Sequence, residues 1–212
     1  MNMKLIKRIL TVTLAGMLVV MPITAAAETD SSSPAATTTE TAAEPASVAI
    51  PEATQVVTGG KVIKSAVAGA STVTSFKGVA VKANDSAIVA AGAAIAKGER
   101  AYVKSYDVTA KTSPAVYASF NGCAKALGGT VISAMNVDFG KMAGKKYSQL
   151  DPNVQVPVTV GIPGKVQAGK TYAMIKVLPG GATEVLADQD TDPNTVTFNI
   201  QGGLASYALV VY

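Results

Sequence analysis

The chain contains no histidine, no tryptophan and a single cysteine among its 212 residues. Without histidine, Ser–His–Asp and Cys–His catalysis and the usual zinc sites are excluded. One cysteine cannot form an internal disulfide, so a folded domain must depend on an ordinary hydrophobic core. Aromatic residues make up only 5% of the chain, which disfavours the extended stacking platforms typical of sugar binding. Gly59-Gly60-Lys61 lacks the rest of a phosphate-binding loop, and no cofactor is predicted.

The first 27 residues are predicted to be a cleavable signal peptide. Residues 1–8 carry positive charge and no acid, and residues 9–21 form a short apolar run. Ala25 and Ala27 supply the small side chains that a signal peptidase requires before its cut, so we expect cleavage after Ala27. The mature protein is then expected to be secreted and extracellular, with no membrane contact. The alternative is an uncleaved membrane anchor.

Residues 28–54 consist mainly of Ala, Thr, Ser, Pro and Glu, with five acids and no base. Such a segment buries too little apolar surface to offset the entropy of ordering it, so a disordered spacer is predicted. A pro-region without further function explains the same composition equally well.

Charge alone points to no nucleic-acid partner. The net charge of +4 falls to +1 once Lys4, Lys7 and Arg8 leave with the signal peptide, and residues 55–212 hold fifteen bases and nine acids. These bases are spread along the sequence rather than clustered, which is not the footprint of a nucleic-acid-binding protein. A mild attraction to anionic cell-wall polysaccharide, or contact with another surface protein, stays open.

Two short helices are expected in the first half of the folded region. Asn84-Asp85-Ser86 provides N-cap side chains for a helix over 87–97, ended by Gly98. Ser113 as N-cap with Pro114 at the first helical position predicts a second helix that ends at Gly128. Its apolar residues recur at helical spacing: Val116, Phe120, Cys123 and Leu127.

Strands are predicted through most of the remaining region. In residues 154–162 every even position is a branched apolar residue, which predicts a strand with one buried face. Pro157 lies on the other face and cannot donate to a ladder, so an edge position or irregular pairing is expected. Pro179-Gly180-Gly181 is a hairpin signal. The other expected strands cover 56–57, 62–63, 73–81, 101–108, 130–139, 172–178, 183–186, 195–200 and 207–212, with a polar connection over 141–152.

These elements predict one α+β, mostly β domain over residues 55–212. The expected architecture is an antiparallel sheet or β-sandwich with two short helices inserted in the first half. A division into an α+β half, 55–150, and a β half, 151–212, is the alternative.

The C-terminal motifs carry a resemblance. PVTVGIP, AGKTYAMIKVLPGGATEVL, DTDPNTVTFNI and SYALVVY follow one another in an order that resembles a C-terminal β-module of secreted and surface proteins from clostridia-like Gram-positive bacteria. The region from Asn84 to Phe139 is compatible with the same group. The resemblance implies an extracellular accessory module and transfers no catalytic residue.

One loop has the composition of a cation site. Asp188, Asp190 and Asp192 alternate with other residues, and alternating oxygens suit a hard cation such as Ca²⁺. Pro193 occupies the position where an EF-hand needs glycine, and Asn199 stands where its bidentate glutamate belongs. Asp, Pro and Asn between two strands are also ordinary turn formers, and the turn is the favoured interpretation.

Other reactive groups are few. The folded region offers Glu99, Glu184 and seven aspartates, and no spacing nominates a catalytic pair. Cys123 is expected to be a buried small hydrophobe rather than a redox thiol. We therefore predict a non-catalytic secreted module for adhesion, cell-wall or glycan contact, or scaffolding. The alternatives are a small carboxylate-based glycan hydrolase and a partner in a surface assembly that accepts a strand at an edge near Pro157.

Overall fold

The computed structural model describes residues 55–58 and 60–212, all of which lie within one compact unit. The predicted signal peptide with Ala25 and Ala27, and the predicted spacer, lie outside the described residues.

The described part contains twelve strands and two helices. The strands are β1 (Gln55–Thr58), β2 (Lys61–Lys64), β3 (Ala68–Thr72), β4 (Val79–Val81), β5 (Glu99–Asp107), β6 (Thr130–Ala143), β7 (Lys146–Gln149), β8 (Gln155–Gly161), β9 (Tyr172–Val177), β10 (Thr183–Ala187), β11 (Thr195–Gln201) and β12 (Gly203–Val211). The helices are α1 (Asp85–Ala90) and α2 (Pro114–Ala126).

The strands form a large sheet, a small sheet and a hairpin. The large sheet has the order β10-β9-β12-β6-β5-β3, and β7 also pairs with β6. The small sheet has the order β11-β8-β4, and β1 pairs with β2. Neighbouring strands are antiparallel except β3 and β5, which are parallel. The predicted mostly β, α+β class is therefore confirmed.

The main core lies between the two sheets. Residues at even positions from Val154 to Ile162 are buried, as the period-two pattern predicts, and they pack with the inner faces of β5, β6 and β12. The ring centroids of Phe198 and Tyr207, contributed by opposite sheets, are 5.2 Å apart. Burying these apolar side chains supplies the main driving force for folding.

Helix α2 covers part of the opposite face of the large sheet. Phe120 and Ala124 on α2 are buried against Ile175 of β9 and Val210 of β12. Pro114 begins the helix as predicted, although the Ser113 side chain makes no capping hydrogen bond. No helix in the described part of the chain is long and apolar enough to cross a membrane.

Pro157 marks the end of a ladder within a central strand. β8 lies between β11 and β4, but β4 stops at Val81, whose partner is Val158. At the end of β8 the N–H of Gly161 points toward β4 and the N–H of Ile162 points toward β11. Because successive N–H groups of a strand point to opposite sides, the nitrogen of Pro157 also faces the β4 side. The missing N–H of Pro157 thus falls where β4 has already ended, and β8 is central rather than an edge strand.

Three local predictions were wrong. Helix α1 ends at Ala90 rather than Lys97 because Gly92 adopts a φ of 96°, a left-handed conformation that stops helices. The strand expected over 73–81 is reduced to β4, since the preceding residues bond to Asp107 instead. The connection expected over 141–152 contains the end of β6 and the short strand β7.

Candidate functional site: the tyrosine face

The part of the large sheet that α2 leaves uncovered carries a cluster of tyrosines and polar side chains. On β5, Ala101 and Val103 point into the main core, so Tyr102, Lys104 and Tyr106 point to the opposite side. Strand pairing places outward residues of β6, β7 and β12 beside them. We call this surface the tyrosine face; it consists of Tyr102, Lys104, Tyr106, Asn136, Asp138, Tyr147, Gln149 and Leu204.

Tyr147 lies at the centre of the tyrosine face. Its hydroxyl donates to Asp138 Oδ1 at 2.6 Å, and Gln149 Nε2 donates to the same oxygen at 3.1 Å. The ring lies edge-to-face with Tyr102, with centroids 6.3 Å apart. Burial, together with the hydrogen bond to Asp138 and its charge, raises the pKa of Tyr147, so the phenol is a donor at neutral pH.

Gly140 makes room for the Tyr147 ring. A Cβ at this position would overlap both the ring of Tyr147 and the carbonyl oxygen of Ser148. The glycine on β6 therefore allows the Tyr147 ring to approach the backbone of the sheet closely. Tyr102 on β5 is the cross-strand neighbour of Gly140.

Two exposed apolar side chains flank this centre. Tyr106 is 42% exposed and Leu204 is 38% exposed, both high values for large apolar residues on a sheet. Tyr106 pairs with Asn136, whose amide oxygen accepts a hydrogen bond from the Ser206 hydroxyl. Amphipathic tyrosines and amide groups together offer both an apolar surface and hydrogen bonds to a ligand.

Lys104 contributes a cation that is held by an aromatic ring. Its Nζ lies 3.6 Å from the centroid of Tyr147, a cation–π contact. Asp138 is the cross-strand partner of Lys104, but its Oδ1 accepts from Tyr147 and Gln149 instead. The two salt bridges found among residues 55–58 and 60–212 involve other lysines, Lys141 and Lys176.

The aspartate loop folds as a series of turns. The side chains of Asp188, Asp190 and Asp192 each accept a hydrogen bond from the backbone N–H two residues later, at 2.9–3.1 Å. This is the Asx-turn geometry that the turn interpretation predicts. Within the described ranges, no three His, Cys, Asp or Glu side chains form a group that could hold a metal ion.

The same loop seals the outer edge of β11. Asp188 Oδ1 accepts from the Thr197 N–H at 2.9 Å, and the Gln189 N–H donates to the Thr197 carbonyl at 2.8 Å. Asp190 Oδ2 accepts from the hydroxyls of Thr195 and Thr197, both of which are buried. Burial raises the pKa of Asp188, although hydrogen bonds from the Thr197 and Asp190 N–H groups oppose the rise. These contacts give the carboxylates a structural role.

The other predicted groups lie apart from one another. Glu99 forms an ion pair with Lys141 at 2.6 Å, and Glu184 forms one with Lys176 at 2.5 Å on a different strand pair. Cys123 is half-buried on α2 beside the second core cluster, and burial raises the pKa of its thiol. A thiolate is therefore disfavoured there, which agrees with a packing role.

A pocket of about 480 Å³ opens between the α1–β5 loop and the β7–β8 connection. Lys141 and Asp151 are its charged lining residues, and Lys141 is already bonded to Glu99 and to the Ala94 carbonyl. A single lining carboxylate does not form the pair that glycoside hydrolysis needs.

The protein is a mostly β sandwich, and the outer face of its large sheet is covered in one part by α2 and carries the tyrosine face in another. No protein-family model, curated protein or solved structure matches the chain.

The tyrosine face is a site that sequence analysis missed. Its local signal is the alternation Tyr102-Val-Lys104-Ser-Tyr106, in which tyrosines and a lysine share one face of the predicted strand over 101–108. Tyr147 gives no such signal, because it falls in a segment that was expected to be a connection.

Proposed function

We propose that this protein is a secreted, non-catalytic module that contacts glycans of a cell wall or cell surface through the tyrosine face. The observation that carries the proposal is the grouping of Tyr102, Tyr106 and Tyr147 with charged and amide side chains on the uncovered sheet surface. The predicted signal peptide and the resemblance to the β-module of Gram-positive surface proteins both support an extracellular location.

Physical chemistry favours a polar, partly apolar ligand at this surface. Tyrosine provides rigid apolar area at a small entropic cost and keeps a hydroxyl for hydrogen bonding. Gln149 and Asn136 add amide groups of the type that bind hydroxyl-rich ligands. A purely apolar partner would exclude water from the remaining donors and acceptors of these amides and offer no hydrogen bond in return, at a cost in affinity.

A pull-down against insoluble cell-wall polysaccharides and a soluble glycan panel tests the proposal. Tyr106→Ala should lose most of the retention, because its exposed ring is the accessible aromatic surface of the site. Val185→Ala is a matched control, since Val185 is a strand residue of almost equal exposure, 41%, outside the tyrosine face. Equal retention of both variants, or retention of no glycan by the unmodified protein, would contradict the proposal.

Strand acceptance is a second candidate, favoured by one observation. β10 is the outermost strand at one end of the large sheet, and four of its five residues are exposed. An unpaired edge of this kind can add a strand from a partner. Its test is Val185→Pro, which should abolish such an assembly while leaving glycan retention intact.

A further inference from the structure

Two cations on and beside the tyrosine face form no salt bridge with any residue that the structure describes. Lys104 is half-buried and its described contact is the Tyr147 ring, not a carboxylate. Arg100 lies on the same face of β5, is exposed, and makes no hydrogen bond or ion pair with any residue that the structure describes. Four residues of an extended strand place the Cα atoms of Lys104 and Arg100 about 13 Å apart.

The one carboxylate of the tyrosine face is already engaged. Asp138 Oδ1 accepts from both Tyr147 and Gln149, and the Lys104 ammonium makes no hydrogen bond with any described residue, so its donors can serve a ligand. A cation with its apolar stem packed and its donors free is suited to receiving an anionic group from a ligand. Together with Arg100, the tyrosine face therefore combines two cations that form no salt bridge, a carboxylate that neutral groups hydrogen-bond, and an exposed aromatic ring.

We propose that the tyrosine face selects acidic polysaccharides, with an anionic sugar substituent bound at Lys104, a second one reaching Arg100, and a sugar ring lying on Tyr106. This inference rests on the proposed function, because it names the class of glycan. The inference is based on charge complementarity, because two separated cations match a polymer that carries negative charges at regular intervals. Tyr106 adds an apolar contact that a sugar ring can use and that a small inorganic anion cannot.

Polygalacturonate and its fully methyl-esterified form are the probes, because they differ in charge and share a backbone. The full chain should bind the acidic form several-fold more tightly, and the difference should shrink as salt is raised. Lys104→Gln and Arg100→Gln should each weaken binding of the acidic form about fivefold, which corresponds to one partly exposed charge contact. Lys104→Arg should retain binding, since it keeps the charge over the ring.

Lys165→Gln is the matched control, because Lys165 is an exposed lysine on the loop between β8 and β9. Its affinity for polygalacturonate should equal that of the unmodified protein. Circular dichroism and thermal melting of each variant confirm that the fold is intact, so that a loss of binding reports the site.

The outcomes separate this inference from the proposed function. Equal binding of the acidic and esterified polymers, lost on Tyr106→Ala, would overturn the acidic preference and leave glycan contact standing. Failure to bind any polysaccharide would overturn both. If the protein bound single-stranded DNA as tightly as polygalacturonate, the surface would recognise negative charge and not the sugar, and this result would also overturn the inference.

Discussion

The Tyr147 hydroxyl donates a hydrogen bond of 2.6 Å to Asp138, which ties the short strand β7 to the middle of β6. β7 has only four residues and pairs with one strand, so this side-chain bond is a substantial part of what holds it. The tyrosine face depends on it, because Lys104 and Tyr102 both contact the Tyr147 ring.

Tyr147→Phe should lower the free energy of unfolding by about 1 kcal/mol, the typical value of one such hydrogen bond. The ring and its contacts are retained, so the far-ultraviolet circular dichroism spectrum should not change. Urea denaturation measures the effect. Tyr117→Phe is the control, since the Tyr117 hydroxyl has no hydrogen bond with the described residues. An equal loss of unfolding free energy in the two variants would show that the Tyr147 hydroxyl does not stabilise the fold.

Gly140→Ala should destabilise the protein by about 1–3 kcal/mol and weaken the proposed glycan binding together with it. The added methyl group overlaps the Tyr147 ring and the Ser148 backbone, so β7 has to move. Gly122→Ala on α2 is the control: the position is open, and alanine should stabilise the helix by about 0.5–1 kcal/mol. A stabilising effect at both positions would show that Gly140 is not needed for close packing.

Asp107 joins β5 to the loop before β4. It accepts hydrogen bonds from the N–H and hydroxyl groups of both Thr74 and Ser75, at 2.6–3.1 Å. Burial on its own would raise the pKa of Asp107, but these four hydrogen bonds outweigh it, so the pKa lies below its usual value of 3.8. The carboxylate therefore stabilises the fold above pH 3.8, and this contribution is lost as the pH falls through the lowered pKa.

Asp107→Asn should cost about 1–2 kcal/mol at neutral pH, since an amide replaces an acceptor-only carboxylate that is partly exposed. The difference from the unmodified protein should narrow below about pH 4 as the native carboxylate is protonated. Chemical denaturation at a series of pH values tests this, with Asp151→Asn as the control because Asp151 bonds within its own turn. A difference that does not change with pH would exclude the charge as its cause.

The stability of the protein should depend on the carboxylates of the aspartate loop and should not depend on calcium. Asp190→Ala should lower the free energy of unfolding by about 1–3 kcal/mol, because it removes the hydrogen bonds that the buried Thr195 and Thr197 hydroxyls donate to this carboxylate. Millimolar calcium should leave the melting temperature of the unmodified protein unchanged. A calcium-dependent rise in melting temperature that is reversed by a chelator and lost in Asp190→Ala would instead establish a cation site.

Short-range sequence patterns were sufficient to predict the elements that depend on a single side chain or on a regular spacing of apolar residues. The alternation from Val154 to Ile162, the hairpin at Gly180, and Pro114 at the start of α2 are all present in the structure. Asn84 also caps α1 as predicted, with its side chain accepting from the Ala87 N–H at 2.9 Å. Each of these features is determined by residues that are close together in the chain, so the sequence alone is enough to predict it.

Contacts between distant segments decided the rest. The segment before β4 is a loop because Thr74 and Ser75 bond to Asp107, a residue more than thirty positions away. Sequence by itself determined the histidine-free chemistry, the strand periodicity and the mostly β class, since each follows from composition or local spacing. Only the tertiary structure brought Tyr147 over Gly140 and beside Lys104. The reason is that the register of the strands, which depends on the whole sheet, places β7 next to β6.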